Sequence, residues 1–292
     1  DVFPDSNRTQ PFGSGATCAY PHRDLMIRND TDQCFQLCVR VGETHLEGEW
    51  RAEAPQKFQY EILERNARMD QASWGGYIRH NELFRRVFDL DGTLLPMDQD
   101  AFTRGYFKLL AAKLAPHGYE PKQLVEAIWT GTEAMVRNDG SRTNEAAFWD
   151  KFASIYGKKA RADEPLFVDF YANEFNRAQS ICGHDPRTAE IVHSLQKRGY
   201  RVVLATNPIF PRIATENRIR WAGLEPDDFA LITTYENSTY CKPNPAYYRE
   251  ILEKLGRKAE ECLMVGNDVV EDGAAQRLGI PVFFLTPCLI NT

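Results

Sequence analysis

The sequence predicts an α/β protein: a doubly wound parallel sheet with a helical stretch set inside it, preceded by a β-rich N-terminal segment. Three observations carry this. Apolar runs alternate with amphipathic stretches over residues 186–286. A block with apolar residues at three- and four-residue intervals fills residues 97–182. The run "RRVFDLDGTLL", Arg85 to Leu95, ends an apolar pair on two aspartates and Gly-Thr, as a strand does when it delivers polar groups to one edge of a sheet.

Residues 1–86 are punctuated by "PFGSGAT", "RNDTD" and "RVGETHLEGEW", with strand-like runs such as "CFQLCVRV" and "KFQYEIL" between them. Four helices are expected over residues 97–182, in "QDAFTRGYFKLLAAKLA", "PKQLVEAIWTGTEAMV", "NEAAFWDKFASIYG" and "EPLFVDFYANEFNRAQ". Pro121 and Pro165 suit first-turn positions. Beyond them, helices at "PRTAEIVHSLQKRGY", "PRIATENRIRWAG", "NPAYYREILEKLG" and "VEDGAAQRLG" alternate with strands at "RVVLATN", "FALITTY", "ECLMVGND" and "IPVFFLT". Such alternation implies a parallel sheet covered on both faces.

A net charge of −6 argues against a nucleic-acid partner held through phosphate contacts. No apolar run reaches the length of a membrane span, so no membrane partner is expected. The opening "DVFPDSNRTQ" has neither a basic start nor an apolar core, so no signal peptide is expected. The cysteines are scattered at Cys18, Cys34, Cys38, Cys182, Cys241, Cys262 and Cys288. Only Cys34 and Cys38 are close, and nothing completes a zinc site. Their odd number and wide spacing favour reduced thiols and a cytoplasmic location.

Polar residues of interest lie at strand ends or in a loop: Asp89 and Asp91 in "VFDLDGT", Thr206 and Asn207 in "VVLATN", Lys242 in "TYCKPNP", Asp268 and Asp272 in "LMVGNDVVED". Together they compose a phosphoryl-transfer site. A carboxylate can attack phosphorus and hold it as an acyl phosphate. Magnesium prefers oxygen ligands, often one or two carboxylates plus substrate phosphate, and would make Asp89 and Asp91 tolerable neighbours. Hydroxyl, backbone N–H and lysine can neutralise the transferring oxygens.

These residues resemble the four motifs of the haloacid dehalogenase superfamily, in its phosphatase-like branch: Asp89-Leu90-Asp91-Gly92-Thr93, Thr206-Asn207, Lys242-Pro243, and Gly266-Asn267-Asp268 with Asp272. The likeness covers residues 87–286 and keeps the family order. It implies a Rossmann-like core over 87–96 and 183–292, with a helical cap over 97–182 that helps choose the substrate. It implies Asp89 as nucleophile and Mg2+ ligand, and Asp91 as general acid/base with its backbone carbonyl on the metal. Thr206 and Asn207 would bind the phosphoryl group, and Lys242 would pair with Asp89 and the phosphate. Asp268 would ligate magnesium, and Asp272 would support the metal or the lysine. The substrate would be a small phosphorylated metabolite.

Each motif alone has a plainer reading. "DxDGT" can be a turn, Thr206-Asn207 a helix cap, "KPNP" a solvent loop, and Asp268 with Asp272 an acid pair favoured by a helix dipole. A dehalogenase attacks carbon and needs no acid at position 91, whereas a phosphatase must protonate a leaving alkoxide. A sugar phosphomutase would keep Asp91 too. Arg137 and Arg142, in or near a possible loop, could bind an anionic substrate or belong to a solvated helix face.

The first 88 residues resemble the C-terminal part of VanW-like proteins, through "DVFPDSNRTQPFGSGATCAYPHRDLMIRNDT" and "ASWGGYIRHNELFRRVFD". The chain begins inside that pattern, and His22, His45 and His80 could be ligands but read better as turn or surface histidines. An alternative function is therefore a VanW-like envelope or resistance module carrying an inactive passenger. The join raises a physical question. A central parallel strand should be almost continuously apolar, yet Arg85 and Arg86 precede Val87 and Phe88. At least one arginine is expected to snorkel past the covering helices or lie beyond the sheet's edge.

Overall fold

The computed structural model describes residues 25–28, 34–37 and 85–291. The chain divides into two compact units, Asp1–Trp50 and Arg51–Thr292. In the first, β1 (Leu25–Arg28) pairs antiparallel with β2 (Cys34–Leu37), Leu25 opposite Leu37. The strand expected at "KFQYEIL", the three histidines His22, His45 and His80, and most of the VanW-like likeness lie outside the described residues.

In the second unit, β3 (Arg85–Phe88) runs into a block of helices: α1 (Gln99–Leu114), α2 (Pro121–Val136), α3 (Asn144–Tyr156), the short α4 (Lys158–Ala162) and α5 (Glu164–Ala172). Asp98, Glu120 and Thr143 cap α1, α2 and α3 by accepting from first-turn N–H groups, which explains where those helices start. Pro121 and Pro165 occupy first-turn positions as expected. The last expected helix is two pieces. Asn173 turns out of the helical region and its amide donates to the Asp169 carbonyl, so the chain continues as a 3₁₀ turn, Glu174–Ile181.

The chain leaves the block where it entered. Met97 bridges Cys182, and Gly183 N–H donates to the Pro96 carbonyl at 2.7 Å. A Cβ on Gly183 would sit 3.0 Å from Pro96 Cβ, tighter than ordinary contact, so glycine lets the two segments approach without displacement.

The remainder alternates: α6 (Arg187–Lys197), β4 (Arg201–Leu204), α7 (Arg212–Trp221), α8 (Pro245–Leu255), β5 (Cys262–Gly266) and β6 (Val282–Phe284). The four strands are parallel in the order β4-β3-β5-β6. The expected strand "FALITTY" is reduced to a bridge, Ile232 beside Leu204, and "VEDGAAQRLG" forms a 3₁₀ turn, Gly273–Leu278. β3 is central, and all four of its residues are buried, both arginines included. The Arg86 guanidinium lies over the Tyr200 ring, 4.2 Å from its centroid. Stacking on an aromatic face thus replaces the expected escape to solvent. Among the described residues, no helix is long and apolar enough to cross a membrane.

Candidate active site

Parallel pairing brings the polar strand ends to one edge. The ladder runs on past β3, with Asp89 N–H donating to the Val265 carbonyl at 2.9 Å and Ala205 N–H to the Phe88 carbonyl at 2.7 Å. Asp89 therefore emerges between the ends of β4 and β5, beside Thr206 and Asp268. Gly92, at φ +83°, turns the chain back immediately afterwards. A Cβ there would stand 2.4 Å from Asn267 Nδ2. Asn267 in turn accepts from Thr93 Oγ1 at 3.0 Å, tying the loop after β3 to the loop after β5.

Lys242 is buried in the loop ahead of α8 and is shared by two carboxylates, Asp89 Oδ1 at 2.7 Å and Asp272 Oδ1 at 2.6 Å. The second oxygen of Asp272 accepts the N–H groups of Asn267 and Asp268, at 2.9 and 3.0 Å. Asp272 thus holds the lysine with one oxygen and shapes the loop with the other. Burial pushes the Asp89 carboxyl up to about 8, with Lys242 opposing and Asp272 and Asp91 adding to the rise. Burial alone would pull the Lys242 ammonium down, but the charges of Asp272 and Asp89 hold it well above its ordinary value. The lysine is therefore charged, and the Asp89 carboxyl holds its proton more tightly than a free one. One ammonium cannot balance two buried carboxylates.

Asp268 Oδ1 accepts from the backbone of Val270 and Glu271, fixing the turn that follows β5. Asn207 donates to Glu271 Oε1 at 2.8 Å, and burial pushes the Glu271 carboxyl up. The Thr206 carbonyl accepts from Tyr247 and Thr233, while no hydrogen bond among the described residues occupies its hydroxyl.

The sequence reading missed Arg218. It lies on α7, 1% exposed, and its Nη1 donates to Asp91 Oδ2. Its guanidinium also lies over the Phe210 ring, 4.5 Å from the centroid. A signal was present: Ala214, Arg218 and Trp221 share the buried stripe of α7, so an arginine stands where an apolar residue belongs. Arg137 and Arg142 are excluded from the cavity. They pair with Glu133 and Asp150 at exposed positions and do not line it.

The other expected residues, Lys242 excepted, line one cavity of about 360 Å3 beneath the helical block: Asp89, Asp91, Thr206, Asn207, Asp268 and Asp272. Among the described residues, no three His, Cys, Asp or Glu side chains form a closed metal cage. The donors still suit magnesium, which takes one or two carboxylates and leaves other positions to water and phosphate. Lys242 engages only Oδ1 of Asp89, and the turn engages only Oδ1 of Asp268. Oxygens facing the cavity are thus left for a cation.

The haloacid dehalogenase-like hydrolase family pattern matches residues 87–279. Phosphoglycolate phosphatase of Neisseria gonorrhoeae is 28% identical over 203 residues, 68% of this chain and 79% of that protein. Pyrophosphatase PpaX of Bacillus cereus is 25% identical over 182 residues, 62% of this chain and 73% of that protein. Among solved structures, a 2-haloacid dehalogenase from Pseudomonas syringae superposes with a TM-score of 0.46 at 21% identity, covering 69% of this chain and 85% of that one.

Proposed function

The chain belongs to the haloacid dehalogenase-like hydrolase family, and on that premise we propose that it is a magnesium-dependent phosphatase of small phosphorylated metabolites acting through an aspartyl-phosphate. The observation that carries this reading is the Asp89–Lys242–Asp272 triad with Asp91 beside it on the same loop. The phosphatase relatives named above support it.

A carboxylate oxygen of Asp89 attacks phosphorus, and the bond to the leaving oxygen breaks. Asp91 delivers a proton to that oxygen, and the alcohol departs. Asp91, now a carboxylate, takes a proton from water. The water oxygen attacks phosphorus, releasing phosphate and restoring Asp89. In this reading the Thr206 hydroxyl and the Asn207 region neutralise the transferring oxygens, and Lys242 acts on the phosphoryl group from behind Asp89, with which it pairs. Asp89, Asp268 and the Asp91 carbonyl would hold Mg2+, which would neutralise charge on the phosphoryl group. Asp91 favours phosphorus over carbon as the centre attacked, since only the alkoxide leaving group needs its proton. The helices over 97–182 act in this reading as a cap, and residues 87–96 and 183–292 as the core. The four described cysteines are free thiols, which supports a reducing, cytoplasmic setting.

The test is a phosphatase screen with and without magnesium, comparing wild type with Asp89→Asn. Equal rates in the two proteins would remove Asp89 as nucleophile. Undiminished turnover in a chelator would remove the metal.

A further inference from the structure

The cavity has two chemical halves. Its floor is the carboxylate and hydroxyl edge of the sheet, and its walls come from the helical block and the start of α7. The walls carry Phe102, Tyr106, Phe148, Trp149, Phe167 and Phe210. Their rings interlock, with Phe148 and Trp149 centroids 5.4 Å apart and Tyr106 and Phe210 5.5 Å apart.

What the walls lack matters as much. Among the described residues that line the cavity, Arg218 is the one arginine or lysine, and it is committed to Asp91 and stacked on Phe210. Lys242 is committed to Asp89 and Asp272. Of the described wall hydroxyls, Tyr106 meets Tyr171 at 2.9 Å and Thr132 donates to the Ile128 carbonyl at 2.9 Å, while the indole Nε1 of Trp149 is a buried wall donor without a partner. A carboxylate or second phosphate carried beyond the metal site would lie among aromatic rings, with no uncommitted lysine or arginine among the described lining residues to meet it. Burying such a charge unpaired is strongly unfavourable. A sugar would lose water from its hydroxyls for few partners. A ring would gain apolar contact on several sides.

We propose that the substrate is a phosphate monoester of an uncharged, ring-bearing alcohol, and that small phosphates bearing a second anionic group are poor substrates. This rests on the phosphatase reading above and narrows its substrate class.

The test compares 2-phenylethyl phosphate with phosphoglycolate on the full chain, at equal magnesium and ionic strength. Both release primary alkoxides, so leaving-group chemistry does not decide the outcome. The expected kcat/KM ratio is at least about tenfold in favour of the ring-bearing ester. Thr132→Arg, at a half-buried wall position, should narrow that ratio by placing a cation in the cavity. Equal or better turnover of phosphoglycolate or pyrophosphate by wild type would overturn the inference while leaving the phosphatase reading standing. Calorimetric titration with the uncharged 2-naphthylmethanol separates the two failures. Binding of that alcohol without turnover of any phosphate, acetyl phosphate included, would sink the phosphatase reading and keep the ligand class. Neither binding nor turnover would sink both.

Discussion

Arg218 holds Asp91 by one oxygen only: its Nη1 donates to Oδ2, while Oδ1 is buried without a partner. The carboxylate is fixed in orientation and keeps one oxygen for the reaction. Arg218 is on this view a positioning residue, acting through Asp91.

Arg218→Met should therefore lower turnover of an alkyl phosphate by ~10–10²-fold, with less loss for an aryl phosphate whose leaving oxygen needs no proton. Arg218→Lys should restore part of it. Adding Asp91→Asn to Arg218→Met should cost far less than the sum of the single changes. A purely structural arginine would instead lower thermal stability and affect both substrate types alike.

Asp91→Asn should lower turnover by ~10²–10⁴-fold. Its backbone carbonyl is untouched, so magnesium affinity should stay near normal. With a good leaving group the first step survives, so phosphate should accumulate on Asp89, visible as a mass increment on the intact protein. Loss of magnesium binding would show that the Asp91 side chain is a metal ligand.

Asp89→Asn should be inactive yet more heat-stable in chelator. Burial raises the Asp89 carboxyl from 3.8 to about 8. The folded chain then keeps a proton that the unfolded chain releases between those values. Wild-type stability from this group accordingly falls as pH rises from about 4 to 8. Asparagine has no proton to lose, so the melting advantage of the variant should be small at pH 5 and larger at pH 8. A variant melting below wild type at pH 8 would mean that the Lys242 pairing outweighs desolvation.

Gly92→Ala should cost about 1–2 kcal/mol from the left-handed backbone alone. Its Cβ would also push Asn267 off Thr93, unfastening the two loops, so activity should fall with stability. Denaturant unfolding measures the first effect and turnover the second. Unchanged unfolding would show that the turn relaxes freely.

The strand-end carboxylates were legible because period and punctuation place them without long-range knowledge. "VFDLDGT" ends β3, "VVLATN" ends β4 and "LMVGND" ends β5, as alternation requires. The share of Lys242 between Asp89 and Asp272 was only half legible, since a loop lysine has no period. Arg218 was missed because its partner is 127 residues away and a charged helix residue ordinarily faces water. The buried Arg85 and Arg86 ran against the expectation of escape, because stacking of Arg86 on Tyr200 depends on a chain neighbour that no local pattern reveals. "FALITTY" failed as a strand because it meets the sheet at a single bridge beside Leu204.

The hydrogen bond from Gly183 to Pro96 has a consequence for how such a protein can change over generations. The helical block begins and ends at adjacent points, so replacing it leaves the backbone on either side almost undisturbed. With the helical block acting as the cap proposed above, reactivity and selectivity are inherited on separable stretches of chain. A recombination event between residues 96 and 183 could exchange one aromatic-walled cassette for another, and the lineage would acquire a new diet without relearning its chemistry.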